Sequence, residues 1–349
     1  MAEDGTGSAN GGPASPAPLP TMKDIAEHLG VSRPLVSMVL RNVPGPSAQS
    51  RDRILAAAKE LGFRPNASAR LLRQSRTRML GVAFLLENPF QVRVVERMFV
   101  KAAERGFALA LGPVTEERPI DAVVSELIEE RVEALIAFNP DLGSAALTEA
   151  LRLMPVTWMG EWTDEPGVDN IHVNEIDGLR RAVEHLVDLG HRDIAYVGGP
   201  GGAVGHSRAE AYRAAMASAG LKKHAEIIST GFSEEDGAAA ARILIGREHR
   251  PTAVICCGDQ CAVGLLAVLS HSNIAVPGEL SVIGFDDSFL ASLSYHQLTS
   301  VRQDVDATVD AALDSVIDRV EGDHGARRVI ATDAALIVRA TTGPARVQN

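Results

Sequence analysis

Cys256, Cys257 and Cys261 fall close together and are the first group whose type could do chemistry. A structural metal site needs a second ligand pair at suitable spacing, and none follows. Their run from a strand end into a helix start suits small buried residues instead. The loop Gly198-Gly199-Pro200-Gly201-Gly202 invites a phosphate-cradle reading. It lacks both the dinucleotide-fold glycine spacing and the lysine of a P-loop, so it reads as a pocket-rim loop. The ten histidines show no ligand spacing, and His28 reads as a surface residue of a helix. No nucleophile stands with a base in a pattern that supports covalent catalysis. No enzyme, metal or cofactor is expected.

The informative pattern lies between Thr21 and Leu40. Thr21 can cap a helix, with Asp24 three residues on as the capping-box acid. Ile25, Ala26 and Leu29 share one face, and Ala26 is small enough to let a second helix cross closely. Gly30 stands where a turn needs positive φ. Ser32 caps the next helix, Pro34 sits in its tolerant first turn, and Val36, Val39 and Leu40 form its inward stripe. A third helix follows Ser47, carries the apolar residues Ile54, Leu55, Ala58 and Leu61, and stops at Gly62. The second helix of such a unit is free to enter a DNA major groove.

Charge supports that partner. Residues 21–78 hold eleven Lys or Arg against four Asp or Glu, a balance of +7, although the whole chain carries −11. Residues 79–349 carry −16, so a basic head sits on an acidic body. This is the electrostatic footprint of a DNA reader attached to a second domain. Residues 1–20 are rich in Gly, Ala, Ser and Pro, have no apolar run, and read as a disordered tail rather than a signal peptide. No apolar run reaches the roughly 20 residues that span a bilayer. A cytoplasmic protein, nucleoid-associated when on DNA, is expected.

From residue 79 strands alternate with helices. Strands are expected over 79–86, 107–112, 132–138, 155–159, 192–198, 225–230, 252–257, 280–285 and 334–339. Helices are expected over 91–105, 119–130, 144–153, 175–189, 207–219, 234–246, 260–271 and 304–321. Short βα repeats imply parallel sheets covered on both faces. So many elements need two lobes, with a ligand between them at the carboxyl ends of the strands.

The run Ile25-Ala26…Gly30-Val31-Ser32…Val36-Ser37, then Ser50-Arg51…Ile54…Ala58…Leu61-Gly62-Phe63-Arg64-Pro65-Asn66-Ala67…Ala69-Arg70…Leu72, resembles the LacI/GalR family of transcriptional regulators. The body agrees through Asn88-Pro89-Phe90, His185-Leu186…Leu189-Gly190-His191-Arg192-Asp193-Ile194-Ala195, Arg208…Tyr212, Asp259…Ala262-Val263-Gly264 and Val276-Pro277…Ile283-Gly284-Phe285-Asp286-Asp287. The likeness runs in order over residues 21–343. It implies an all-α three-helix helix-turn-helix head joined to an α/β two-lobe body with two parallel doubly wound sheets, of the type I periplasmic-binding-protein-like kind. The expected divisions are a tail (1–20), a DNA-binding domain (21–64), a hinge helix and linker (65–78), and a ligand-sensing and dimerisation domain (79–343). Its N-lobe would comprise 79–171 and 303–327, its C-lobe 172–302 and 328–343.

The resemblance also assigns roles. Arg33, Pro34 and Met38 occupy positions that face base edges, and Thr21, Ser32, Ser37, Ser47 and Ser50 positions that touch phosphates. Arg33 alone among them can bond a guanine in bidentate fashion. Met38 stands where the family commonly has Arg, so one usual guanine contact is missing. The segment Asn66–Arg73, with Ala69 at a small position and Leu72 at the minor-groove wedge, is expected to fold as a helix only when two copies pair on DNA. Phe90, Arg208, Phe232, Asp259 and Asp286 match ligand contacts, Arg208 and Asp286 giving opposite charges across a cleft. Gly160 and Val173 stand where acids that bond sugar hydroxyls are common; Glu161, Trp158 or Trp162 could replace them.

The expected protein is a homodimeric transcriptional regulator, most often a repressor in this family, which binds a pseudo-palindromic operator and answers to a small effector such as a sugar or related metabolite. The rival is an α/β enzyme with a fused DNA-binding head. The C-terminus has no leucine heptads, which argues against a coiled-coil tetramer.

Overall fold

The computed structural model describes residues 20–63, 76–139, 143–160, 162–199 and 202–346, with the backbone alone at 202 and 203. The expected tail (1–20) and hinge (65–78) lie for the most part outside these residues, as do Asn66, Ala69, Leu72, Arg73 and Glu161. Two compact units divide at Arg76/Thr77.

In the head, α1 (Met22–Leu29) begins at a closed capping box. The Thr21 N–H donates to Asp24 Oδ2 at 2.6 Å and the Asp24 N–H donates to Thr21 Oγ1 at 3.4 Å. Gly30 ends the helix at φ 64°. α2 (Arg33–Leu40) is capped by Ser32, and α3 (Ala48–Glu60) by Ser47. Ile25, Ala26, Val36, Val39, Ile54, Ala57 and Ala58 form the core where the three helices meet. Leu55 differs from its neighbours on α3: it is 46 % exposed, and Ala57 takes the inward position, because the buried arc falls on residues 54, 57 and 58.

The body contains two six-stranded sheets. The first has strands β1 (Met79–Leu85), β2 (Ala108–Val114), β3 (Ala134–Phe138), β4 (Val156–Met159), β5 (Asp169–Val173) and β11 (Val329–Thr332) in the order β11-β5-β4-β3-β1-β2. The second has β6 (Ile194–Val197), β7 (Ala225–Ile228), β8 (Ala253–Cys256), β9 (Ser281–Asp286), β10 (Thr299–Gln303) and β12 (Ala334–Ile337) in the order β12-β10-β9-β8-β6-β7. Every pairing is parallel except β10 with β12. The helices are α4 (Pro89–Glu104), α5 (Ile120–Glu129), α6 (Ala145–Leu153), α7 (Glu175–Asp188), α8 (Gly202–Ser218), α9 (Glu234–Ile245), α10 (Asp259–His271), the short α11 (Phe289–Ser292) and α12 (Val305–Val320).

The chain crosses between sheets three times, after Val173, after Gln303 and after Thr332. The last crossing corrects the expected C-lobe start at 328, because β11 pairs parallel with β5 and so belongs to the first sheet. After the second crossing α12 packs beside α4, where Arg97–Asp306, Lys101–Asp310 and Arg105–Asp314 form an ion-pair ladder. Strands β5, β10 and β11 were absent from the expected set. α8 starts five residues earlier than expected, at Gly202 rather than 207.

Candidate functional site

In the head, the solvent side of α2 carries Arg33 and Pro34 exposed, with Ser37 and Met38 half-buried. Thr21, Ser32 and Ser47 are exposed and Ser50 half-buried. The hydroxyls of Thr21, Ser32 and Ser47 accept the capping N–H groups of their helices. Met38 has a packing role beyond the expected base-facing one. Its terminal methyl lies 3.2 Å from where a Cβ would stand on Gly45, which holds φ 129° in the turn between α2 and α3. His28 is partly exposed and 4.0 Å from Glu60.

In the body, a cavity of about 290 Å³ opens where strands of both sheets end. Leu85, Phe138, Met159 and Val173 reach it from the carboxyl ends of β1, β3, β4 and β5, and Asp286 and Gln303 from those of β9 and β10. Phe90 and Phe232 line it as expected positions, and Arg208 and Asp286 join them.

Arg208 is 5 % exposed and bonded through all three guanidinium nitrogens. Nε donates to Glu175 Oε1 at 2.8 Å, Nη1 to the Cys257 carbonyl at 2.5 Å, and Nη2 to Asp286 Oδ1 at 3.5 Å. Its carbon centre lies 3.8 Å over the Phe285 ring. Burial opposes its charge, but Asp286 and Glu175 more than offset that and hold it firmly protonated. Arg208 and Asp286 are thus neighbours on one wall, rather than opposed across the cleft. Burial pushes the Glu175 carboxyl up, and Arg208 counters it. The same opposition acts on Asp286, whose Oδ1 also accepts from Gln303 Nε2 at 2.6 Å.

Asp259 does not line the cavity. Its carboxylate is 1 % exposed and accepts from Ser300 Oγ and the Ser288 N–H, each at 2.6 Å, so it ties β10 and the turn after β9 together. Trp158 is buried away from the cavity, and Trp162 is half exposed with Arg327 over its ring; neither replaces the missing acids. Gly160 has a physical reason to stay glycine. It holds φ 90°, and a Cβ there would come 2.2 Å from Asn139 Oδ1. Asn139, His172, Glu175 and Gln303 line the cavity without having been singled out in the sequence. Glu175 carried a signal that was passed over: it is an acid beside the helix-capping Asn174, two residues from the position where an acid was sought.

The three cysteines are free and fully buried, and Cys261 lies where α9 and α10 touch through their backbones at Gly237. Among the described residues no cluster could hold a metal ion. No helix among them is long and apolar enough to cross a membrane.

The head and body each match a family model. Residues 21–66 match "Bacterial regulatory proteins, lacI family", and residues 183–342 match "Periplasmic binding protein-like domain". The chain is 30 % identical to the HTH-type transcriptional repressor PurR of Escherichia fergusonii, over 93 % of this chain and 98 % of that protein. It is 33 % identical to the ribose operon repressor of Escherichia coli strain K12, over 86 % of this chain and 93 % of that protein. Among solved structures, the lac repressor dimer bound to operator and an anti-inducer shares 26 % identity with a TM-score of 0.79, covering 93 % of this chain and 99 % of that one. A LacI transcriptional regulator from a Rhodococcus species shares 33 % identity with a TM-score of 0.74, covering 76 % and 99 %. A capped three-helix head, a two-sheet body crossed three times, and relatives matched over nearly their whole length together mean that this chain belongs to the LacI family of bacterial transcriptional regulators.

Proposed function

We propose that the chain is a homodimeric repressor that binds a pseudo-palindromic operator and releases or tightens on it when a small metabolite fills the cavity between its lobes. The observation that carries this reading is one chain holding both an exposed arginine at the start of α2 in a basic head and a cavity lined from the strand ends of both sheets. Arg33, Pro34 and Met38 would face bases, with Thr21, Ser32, Ser37, Ser47 and Ser50 at phosphates. Asn66, Ala69, Leu72 and Arg73 would form the paired segment over the operator centre, Leu72 opening a base step. Phe90, Arg208, Phe232 and Asp286 would line the effector site, with Glu175 added and Asp259 a support behind it. Lobe closure would alter the spacing of the two hinge segments across the dimer. A coupling of about 1–3 kcal/mol is enough to change operator affinity from several-fold to about a hundredfold. Work on chromosomal DNA puts the protein in the cytoplasm, at the nucleoid.

Footprinting at low and high salt tests the assignment. A dyad-shaped protection that survives the higher salt supports it, and a uniform protection erased by salt overturns it. The Leu72→Ala chain should keep a folded head and yet lose operator affinity and bend angle.

A further inference from the structure

On α2 the buried Val36 and Val39 fix the direction of every other side chain. At about 3.6 residues per turn, Pro34, Ser37, Met38 and the C-capping Arg41 fall on the face turned away from that core. Pro34 and Arg41 are exposed, and Ser37 and Met38 half-buried. No acid stands on α2. Arg41 is drawn toward the Ser37 side of this face, because its Nε donates to the Ser37 carbonyl at 3.1 Å. The other side, Pro34 and Met38, has no side-chain donor and only the weak acceptor of a thioether.

Met38 is also held in place. Its terminal methyl packs on Gly45, and its carbonyl accepts the Val43 N–H at 2.9 Å. Arg51 braces the same turn, donating to Asn42 Oδ1 at 2.6 Å and to the Val43 carbonyl at 3.1 Å. A methionine is ordinarily loose, and ordering it weakens a contact; here the turn has already ordered its end. A major-groove edge offers one apolar group, the 5-methyl of thymine, and otherwise hydrogen-bond donors and acceptors. An apolar strip pressed on those groups leaves them dry and unpaired. It therefore favours thymine and disfavours the other bases.

We infer that Met38, with Pro34 one turn before it, reads thymine through that methyl, so that each operator half-site carries thymine where a base-facing arginine would select guanine. This rests on the reading of α2 as the helix in the major groove. Four residues of helix rise about 6 Å, so the two contacts fall about two base-pair steps apart.

The test begins with selection of the operator from random duplexes by the full chain. Each thymine of the selected site is then replaced, in both half-sites together, by deoxyuridine, which pairs identically and lacks only the methyl. One lost methyl contact weakens binding about fourfold, so changing both half-sites should weaken it roughly fifteenfold at each of the two contacted positions. Met38→Ala should bind the thymine and uracil forms alike at one of those positions, and Pro34→Ala at the other. Met38→Gln keeps the side-chain length against Gly45 and so separates lost reading from a damaged head. It should lose the same uracil penalty and shift the selected base toward adenine, which an amide bonds in bidentate fashion. Uracil forms that all bind as tightly as the thymine operator, or a penalty undiminished in both Met38→Ala and Met38→Gln, overturn the inference and leave α2 as the reader. A selection that returns no common sequence overturns the operator reading and the inference with it.

Discussion

Arg93 on α4 donates from Nη1 to the carbonyl oxygen of Asp287 at 2.8 Å, joining the first lobe to the second. Gln260 makes a second such bond, from Nε2 to the Glu87 carbonyl at 3.1 Å. Asp287 follows Asp286, which lines the cavity, and both hold positive φ, 47° and 104°. Each such residue costs on the order of 1–3 kcal/mol and persists only where its surroundings fix it. Here Arg302 and Arg339 hold the Asp287 carboxylate at 2.7 and 2.6 Å, and its N–H donates to Ser300 Oγ at 3.0 Å. A ligand that touches Asp286 is thus one peptide unit from the bond that spans the lobes.

Arg93→Ala should loosen closure without unfolding the body. A hydrogen bond to a charged group contributes about 1.5–3 kcal/mol, enough to shift a two-lobe equilibrium by roughly ten- to a hundredfold. Small-angle scattering should report a larger radius of gyration, while the thermal midpoint moves little. Scattering indistinguishable from the native chain would show that the bond does not hold the lobes.

Arg208→Ala should be far more damaging. Removing the guanidinium leaves Glu175 and Asp286 buried together with no cation, and breaking a buried pair this way costs about 3–5 kcal/mol. Arg208→Lys should recover only part, since an ammonium cannot reach Glu175, the Cys257 carbonyl and Asp286 in one fork. Combining Arg208→Met with Glu175→Gln and Asp286→Asn should restore more stability than the lysine does. Denaturant midpoints of the four chains decide the order, and an Arg208→Ala chain as stable as the native one rules out the ion cluster as a stabilising unit.

Burial, then the charge of Asp286, raises the Asp259 carboxyl to about 7, and burial raises Asp286 to about 6 despite Arg208. Both lie above the ordinary aspartate value of 3.8. An acid with a raised folded-state value keeps its proton in the native chain after the unfolded chain has released it. Its favourable contribution is therefore complete below the unfolded value and is lost as pH climbs through the folded one. Four histidines, 172, 185, 191 and 296, are lowered chiefly by burial and act in the opposite sense, costing stability as pH falls below their ordinary value. Comparison with Asp259→Asn separates the two. From pH 5 to 8 the native chain should lose stability relative to that variant, and a flat difference between their denaturant midpoints contradicts the raised Asp259.

The head was legible because its signals are local. Thr21 with Asp24, Gly30, and Ser32 before Pro34 each act within four residues, so spacing alone names the helix ends. Strand β1 was legible as an apolar run. Strand β5, Asp-Asn-Ile-His-Val, was not, because Asp169 is buried against Arg319, 150 positions away, which donates to both its oxygens at 2.9 and 2.8 Å. A strand that hides its charge through so distant a partner looks like a loop in sequence. The same distance concealed the site's balance. Family likeness pointed to Arg208 and Asp286, while Glu175 is 33 residues from Arg208 and shows its role only once α7 and α8 pack. Asp259 was misplaced because family likeness pointed to the cavity, whereas its buried carboxylate is taken up by Ser288 and Ser300 and does not line it.

The reading of DNA by α2 can be separated from simple charge attraction. Arg33 is exposed at the first position of the helix, where its side chain is free to extend past the N-terminal turn. A bidentate arginine–guanine contact is worth about 1–3 kcal/mol of discrimination, whereas a phosphate contact weakens all sequences alike and lowers the salt slope by about one. Arg33→Ala should therefore lower operator affinity roughly five- to 150-fold while leaving affinity for random duplex and the salt slope nearly unchanged. Met38→Arg should behave differently. It lifts the Met38 methyl from Gly45 and destabilises the turn between α2 and α3, yet it adds a cation to the groove face. Its random-duplex affinity should rise and its head should melt earlier. If Arg33→Ala instead loses operator and random DNA by the same factor, Arg33 serves the backbone, and the sequence preference must come from other residues of the head.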